Sequence, residues 1–320
     1  MRLTLLQYAF LQRALLAALL VGLTAPSVGV YLVQRRLALI GDGMGHIALA
    51  GVAVGVLTSS QPVLTALAAA VAGAIGIELV RARGRTSGDV ALAIMFYGGI
   101  AAGVVLLSRA PGGTPANLTS YLFGAITTTS PTDLLVFGVL AAVVLTVTLG
   151  LAPRLFAVGN DEEYARAAGL PVLGLNLLLA VLTAATVVIS MRVVGLLLIS
   201  ALMVVPVATA QLIVGSFRST LLLAVGLGLV VSVGGTATSY YANTPSGGTI
   251  VLLAVALFAL TAGGTAAVSA LRRDMHDEAE DHLHRHGADC GHLPVPHDDH
   301  VDYVHDGHRH AAHGAHYDEH

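Results

Sequence analysis

An all-α bundle of membrane-spanning helices, about nine in number, is predicted by three features of this 320-residue sequence. Hydrophobic residues make up 55% of the chain and charged residues only 11%, whereas a soluble domain carries roughly 25% charged residues. The mean hydropathy is +0.79. The apolar residues are also grouped into stretches of about 20, the helix length that a bilayer core requires, and Arg, Pro and Gly punctuate the breaks between them.

The first stretch covers 10–33 and ends at Gln34-Arg35-Arg36. No small-residue cleavage site separates Met1-Arg2 from that arginine pair, so this segment is expected to remain as a span. Spans at 39–58 and 62–80 follow, the second closed by Arg81, Arg83 and Arg85. The fourth, 90–108, precedes Pro111-Gly-Gly-Thr-Pro115, and the fifth occupies 132–150. After a polar segment at 151–171 come 172–190, 193–215, 219–241 and 248–270, divided at Gly215-Ser-Phe-Arg218 and Thr244-Pro-Ser-Gly-Gly248. The break at Met191-Arg192 is the weakest, and joining its two sides leaves eight spans.

Short cytoplasmic loops are enriched in positive residues. With the N-terminus outside, Arg35, Arg36, Arg81, Arg83, Arg85, Arg154, Arg166, Arg218, Arg272 and Arg273 are cytoplasmic, and Arg2, Arg13, Arg109 and Arg192 are not. For an odd number of spans this orientation also places 151–171 and the C-terminal end in the cytoplasm. Small residues spaced four apart, Gly41/Gly45, Gly51/Gly55 and Gly99/Gly103, let helix backbones approach closely, and generic packing explains them better than a dedicated dimer seam.

Composition divides the chain at Asp274. Residues 1–273 carry a net charge of about +7 and residues 274–320 about −10. Lys is absent and Cys290 is the only cysteine, so an intrachain disulfide is excluded. A Walker A phosphate cradle requires Lys, which excludes an ATPase built from this chain alone. The lipid bilayer is an expected partner and nucleic acid is not.

Chemistry concentrates at two places. In Ile40-Gly-Asp42-Gly-Met-Gly-His46, the carboxylate and imidazole are four residues apart and share one helix face. Such a pair suits a divalent first-row metal, and an ionisable group within a span is a functional candidate by default. The alternative is that Asp42 caps the span's start while His46 is satisfied by a neighbouring helix. The second place is the tail, where thirteen of the fourteen histidines lie, among them His282, His284, His286, His305, His308, His310, His313 and His316. Imidazole favours zinc over manganese, so the tail is expected to bind zinc. Its low apolar content predicts disorder.

Several stretches resemble the integral membrane permeases of zinc and manganese ABC importers, from about Phe10 to Thr265. The most specific is Leu32-Val-Gln-Arg35-Arg36-Leu-Ala-Leu-Ile-Gly-Asp42-Gly-Met-Gly-His46-Ile-Ala-Leu-Ala-Gly51, which has the order of Arg, Asp and His that enters that family's metal-bearing helix. Asp161-Glu-Glu-Tyr-Ala165-Arg-Ala-Ala-Gly169-Leu-Pro171 looks like its coupling segment, which assigns Asp161, Glu162, Glu163, Tyr164, Arg166 and Gly169 to ATPase docking. Taken as a bare sequence, the same acids complement a helix dipole and Gly169-Leu-Pro171 ends the helix. Gly195-Leu-Leu-Leu-Ile-Ser-Ala-Leu-Met-Val-Val-Pro206 and Tyr240-Tyr-Ala-Asn-Thr-Pro245-Ser-Gly247 are weaker matches. The resemblance implies a homodimer in the bacterial plasma membrane, with separate cytoplasmic ATPases and an extracytoplasmic metal-binding protein. Zinc, or else manganese, would be substrate, with no tightly bound cofactor. The His-rich tail departs from the family pattern.

Two other classes compete with this assignment. A secondary metal/proton exchanger would normally need a second acid/His set, yet Glu78, Asp89, Asp133 and Asp161 to Glu163 all fall at predicted span ends or in loops. A membrane enzyme or metal sensor lacks support, since H-E-x-x-H is absent.

Overall fold

Apolar runs of this length can satisfy their backbone polar groups in lipid only as helices, and the computed structural model follows that rule. It describes residues 7–83, 88–109, 124, 129–191, 195–196, 199–279, 291–297, 300–305, 308–313 and 316–319. The chain forms two units, Met1–Ala262 and Gly263–His320. The helices are α1 (Ala9–Gln34), α2 (Ile40–Leu57), α3 (Pro62–Ala82), α4 (Gly88–Ser108), α5 (Pro131–Gly150), α6 (Ala152–Asn160), α7 (Glu162–Ala167), α8 (Val172–Met191), α9 (Ile199–Gln211), α10 (Phe217–Ala242) and α11 (Ser246–Ala279).

Among the described residues, eight helices are long and apolar enough to cross a membrane. The expected span at 193–215 is instead the 13-residue α9. At about 1.5 Å per residue it reaches about 20 Å, short of a bilayer core of about 30 Å. Gly195 precedes it with φ +88°, and Pro206 lies inside it without a backbone donor. Hydropathy registers how apolar a stretch is but not where a helix starts. The direction of the chain is kept nonetheless. The first turn of α9 lies beside α2, where Ser200 meets Asp42, and Gln211 lies beside Gln34 at the end of α1.

Cross-contacts show which helix ends meet. Arg35, just after α1, pairs with Glu162 of α7, and the Phe156 and Phe217 rings of α6 and α10 are 4.7 Å apart. At the other end, Arg13 of α1 donates to the Thr129 carbonyl at 3.3 Å, and Phe10 approaches Tyr240 at 6.4 Å. Arg35, Arg36, Arg81, Arg83, Arg154, Arg166 and Arg218 thus gather at the α6–α7 end, as expected of a cytoplasmic face.

The bundle is centred on α1 and α8, whose apolar windows are the most buried, while α4, α5 and α11 leave most of their apolar surface exposed. In lipid that exposure carries no penalty. Close backbone contact replaces a large-residue core. A Cβ at Gly22 would lie 2.9 Å from the Gly228 carbonyl oxygen, so only glycine permits α1 and α10 to approach this closely. Ser232 of α10 donates to the Ala18 carbonyl at 2.7 Å, and Tyr31 donates to the Thr148 carbonyl of α5 at 2.7 Å. Gly51 and Gly55 seat α3, whereas Gly99 and Gly103 seat the backbone and Leu49 of α2. These glycine pairs are therefore packing seams within one chain.

In the second unit, β1 (Leu293–His297), β2 (His300–His305), β3 (His308–His313) and β4 (His316–Glu319) form an antiparallel meander. His297 pairs with His300, His305 with His308, and His313 with His316. The composition change at Asp274 also falls within α11 and not at a helix end.

Candidate functional site

The start of α2 lies among α4, α9 and Leu196. Asp42, in the first turn, is half-buried and accepts a hydrogen bond of 2.5 Å from the Ser200 hydroxyl of α9. The N-cap position is Leu39, which makes no side-chain cap bond, and the side-chain bond of Asp42 goes to the facing helix α9. One turn on, His46 meets Phe96 of α4 edge to face, with ring centroids 4.5 Å apart. Its Nδ1 is buried and has no hydrogen-bond partner among the described residues.

The glycines around the pair set these approaches. Gly43 faces Leu92 of α4, where a Cβ would come within 2.7 Å of Leu92 Cδ1. Gly41 lies against Ser200 and Met203, and Gly45 against Leu196. At Gly99 of α4 a Cβ would lie 2.8 Å from the His46 carbonyl carbon. A half-open cavity of about 350 Å3 adjoins Asp42 and is lined by Leu39, Leu92, Ala93, Phe96 and Tyr97. Tyr97 is exposed at its edge. A carboxylate oxygen and an imidazole nitrogen can supply two positions to a first-row cation. No group of three or more His, Cys, Asp or Glu that could hold a metal ion converges among the described residues. Ser200 and Phe96 lacked a sequence signal, because a lone Ser or Phe in an apolar span is ordinary.

The acidic segment is a six-residue helix, α7. Asp161 caps it, accepting from the Tyr164 amide at 2.9 Å, and Gly169 ends it at φ +79°. Glu163, Tyr164 and Arg166 are exposed, whereas Ala165 is buried. Glu162 turns inward and its Oε1 accepts from Arg35 Nη2 at 2.8 Å and from Asn176 Nδ2 at 3.1 Å. Nearby on α3, Arg81 binds the buried Glu78 at 2.9 Å. Burial pushes the Arg35 guanidinium below its ordinary pKa and the charge of Arg81 adds to this, while Glu78 and Glu162 oppose both. Arginine stays charged regardless, so a buried cation is held by carboxylates.

In the tail, His305 ends β2, His308, His310 and His313 lie on β3, and His316 begins β4. His282, His284 and His286 lie outside the described residues.

A polytopic bundle whose described helices include eight long and apolar enough to cross a bilayer, with an arginine-rich end and an acid and an imidazole on one of its helices, has the frame of an integral membrane protein. Residues 7–263 match the family described as "ABC 3 transport family", and the chain belongs to that family. It is similar to "Manganese transport system membrane protein MntC" of Halalkalibacterium halodurans, with 34% identity over 80% of this chain and 87% of that protein. It is also similar to "High-affinity zinc uptake system membrane protein ZnuB" of Haemophilus influenzae, with 28% identity over 78% and 95%. A solved structure, "PsaBC from Streptococcus pneumoniae in complex with Fab", aligns with a TM-score of 0.72 and 31% identity, covering 80% of this chain and 92% of that one. The chain is thus a multi-pass, non-catalytic membrane subunit of a bacterial metal-type ABC importer, a class that implies ATPase and binding-protein partners. This family membership sets aside the exchanger and enzyme alternatives.

Proposed function

We propose that this permease imports zinc through a path on which Asp42 and His46 are transient ligands, within a homodimer whose cytoplasmic ATPases dock on the outer face of α7. The observation that carries this reading is the half-buried Asp42 at the edge of an open cavity, with His46 one turn further along α2 carrying a buried imidazole nitrogen that is unpartnered among the described residues. Two protein ligands give weak, exchangeable binding, which suits a cargo that must be released. The exposed Tyr97 edge leaves room for a second copy to close the path. The histidine-rich tail is a cytoplasmic zinc-binding appendage. Manganese is the second reading, favoured by the 34% identity to the manganese-named relative and by the oxygen donors Asp42 and Ser200.

Uptake of labelled zinc and manganese by cells carrying His46→Ala or Asp42→Asn, measured beside the melting temperature of each purified variant, tests the proposal. Both variants are expected to fold, dimerise and lose uptake. Wild-type uptake by two stable variants would overturn the ligand role, and preferential uptake of manganese by the unmodified protein would overturn zinc.

A further inference from the structure

Glu162, its side chain 39% exposed, is the acid of α7 that bonds to the bundle, and its partners connect three separate parts of it. One carboxylate oxygen, Oε1, binds Arg35 at 2.8 Å and Asn176 of α8 at 3.1 Å. The Arg35 side chain is only 6% exposed. In α7 itself only Ala165 is fully buried, so the ion pair is the main polar attachment of that helix to the bundle.

Arg35 also occupies a mechanical position. It caps the C-terminus of α1, and the connection to α2 is short and internally bonded. The Leu37 amide donates to the Leu32 carbonyl at 2.8 Å, Ile40 to Leu37 at 3.0 Å and Gly43 to Leu39 at 3.3 Å. A turn bonded this way transmits displacement instead of absorbing it. Asp42 lies in the first turn beyond it. Beside the pair is a half-open cavity of about 470 Å3, lined by Glu78, Arg81, Glu162, Arg166 and Asn176 among others. Glu162 therefore has two further guanidinium groups, Arg81 and Arg166, at the edge of a space into which it could turn. An ion pair with alternative partners of like charge is a bistable element of the kind that switching transitions use.

We propose that the Arg35–Glu162 ion pair is the joint through which movement of the ATPase-docking segment reaches the metal-bearing helix α2. Arg35 is a positioning residue, touching neither metal nor ATPase. The proposal rests on the assignment of α7 as the docking segment. It adds that docking and coupling are carried by different side chains of one helix, the exposed Glu163 and Tyr164 and the bundle-bound Glu162.

The test uses the full permease, assembled with its ATPase and binding protein in proteoliposomes. Three quantities are measured for Arg35→Met, Arg35→Lys and the exchange Arg35→Glu/Glu162→Arg: recovery of the ATPase with the permease, stimulation of ATP hydrolysis by metal-loaded binding protein, and metal uptake. Arg35→Met is expected to recover the ATPase normally while stimulation and uptake fall about tenfold, the usual scale of coupling between sites. Arg35→Lys is expected to keep most of both, and the exchange to restore part of what Arg35→Met loses. Wild-type stimulation and uptake by a folded Arg35→Met would overturn the joint. If Arg35→Met does not fold, the exchange decides: restored coupling supports the joint, and an uncoupled but stable exchange overturns it. The docking assignment fails separately, if Glu163→Arg leaves ATPase recovery unchanged.

Discussion

The Ser200 hydroxyl lies 2.5 Å from Asp42 Oδ1, so a residue of the half-length helix α9 holds a carboxylate of α2 across 158 positions of sequence. The bond orients the carboxylate and occupies part of its acceptor capacity. Ser200→Ala is expected to cost about 1 kcal/mol of stability, the usual net value of a hydrogen bond. It is also expected to change the concentration dependence of uptake more than its maximum. Uptake titrations beside thermal unfolding check both effects, and a loss of maximal rate at unchanged affinity would count against an orienting role.

Gly99→Ala is a steric test of the same site. The added methyl would lie 2.8 Å from the His46 carbonyl carbon, in backbone that cannot rotate away, so α4 must shift from α2. A cost of about 1–3 kcal/mol is expected, as for overpacking elsewhere, together with impaired uptake. Gly98→Ala is the control, since a methyl added there would meet nothing within 4 Å. Equal melting temperatures for the two variants would contradict the close approach of α2 and α4.

Glu163→Arg and Tyr164→Ala are expected to reduce recovery of the ATPase subunit without lowering the melting temperature, because both side chains face outward. Glu162→Arg is expected to lower the melting temperature as well, since it places a second cation against a buried arginine. Pull-down and unfolding measured on the same preparations separate the two faces of α7. Identical behaviour of all three variants would remove the distinction.

Removal of 280–320 is expected to leave a folded, transporting permease with an altered dependence on external metal. The deleted residues lie beyond α11, and the family match ends at residue 263. Zinc binding to the full chain and to the truncated form, measured by equilibrium dialysis, should differ by several ions. Loss of membrane insertion on truncation would make the tail a structural element.

The spans were legible because burial in lipid is written directly into hydropathy, and the Asp42–His46 pair because ionisable side chains are rare in such surroundings. What escaped was depth and direction. Hydropathy could not show that the seventh apolar stretch forms a helix of only 13 residues. Three adjacent acids read as one docking face, although Glu162 is held by Arg35 and Asn176 while Glu163 and Tyr164 are exposed. Ser200 was invisible because a hydroxyl within a span usually bonds its own preceding turn, as Thr183 and Thr186 do here.

The contact at Gly22 and Gly228 has a dynamic consequence. Long side chains act as springs between helices, changing rotamer as the helices slide. Two backbones in direct contact, fastened further by Ser232 to the Ala18 carbonyl, have no such compliance. Helices α1 and α10 are therefore expected to travel as one lever during the transport cycle, with their relative angle conserved. A distance label on each helix would then report a constant separation in every nucleotide state, while labels on α4 and α9 would not.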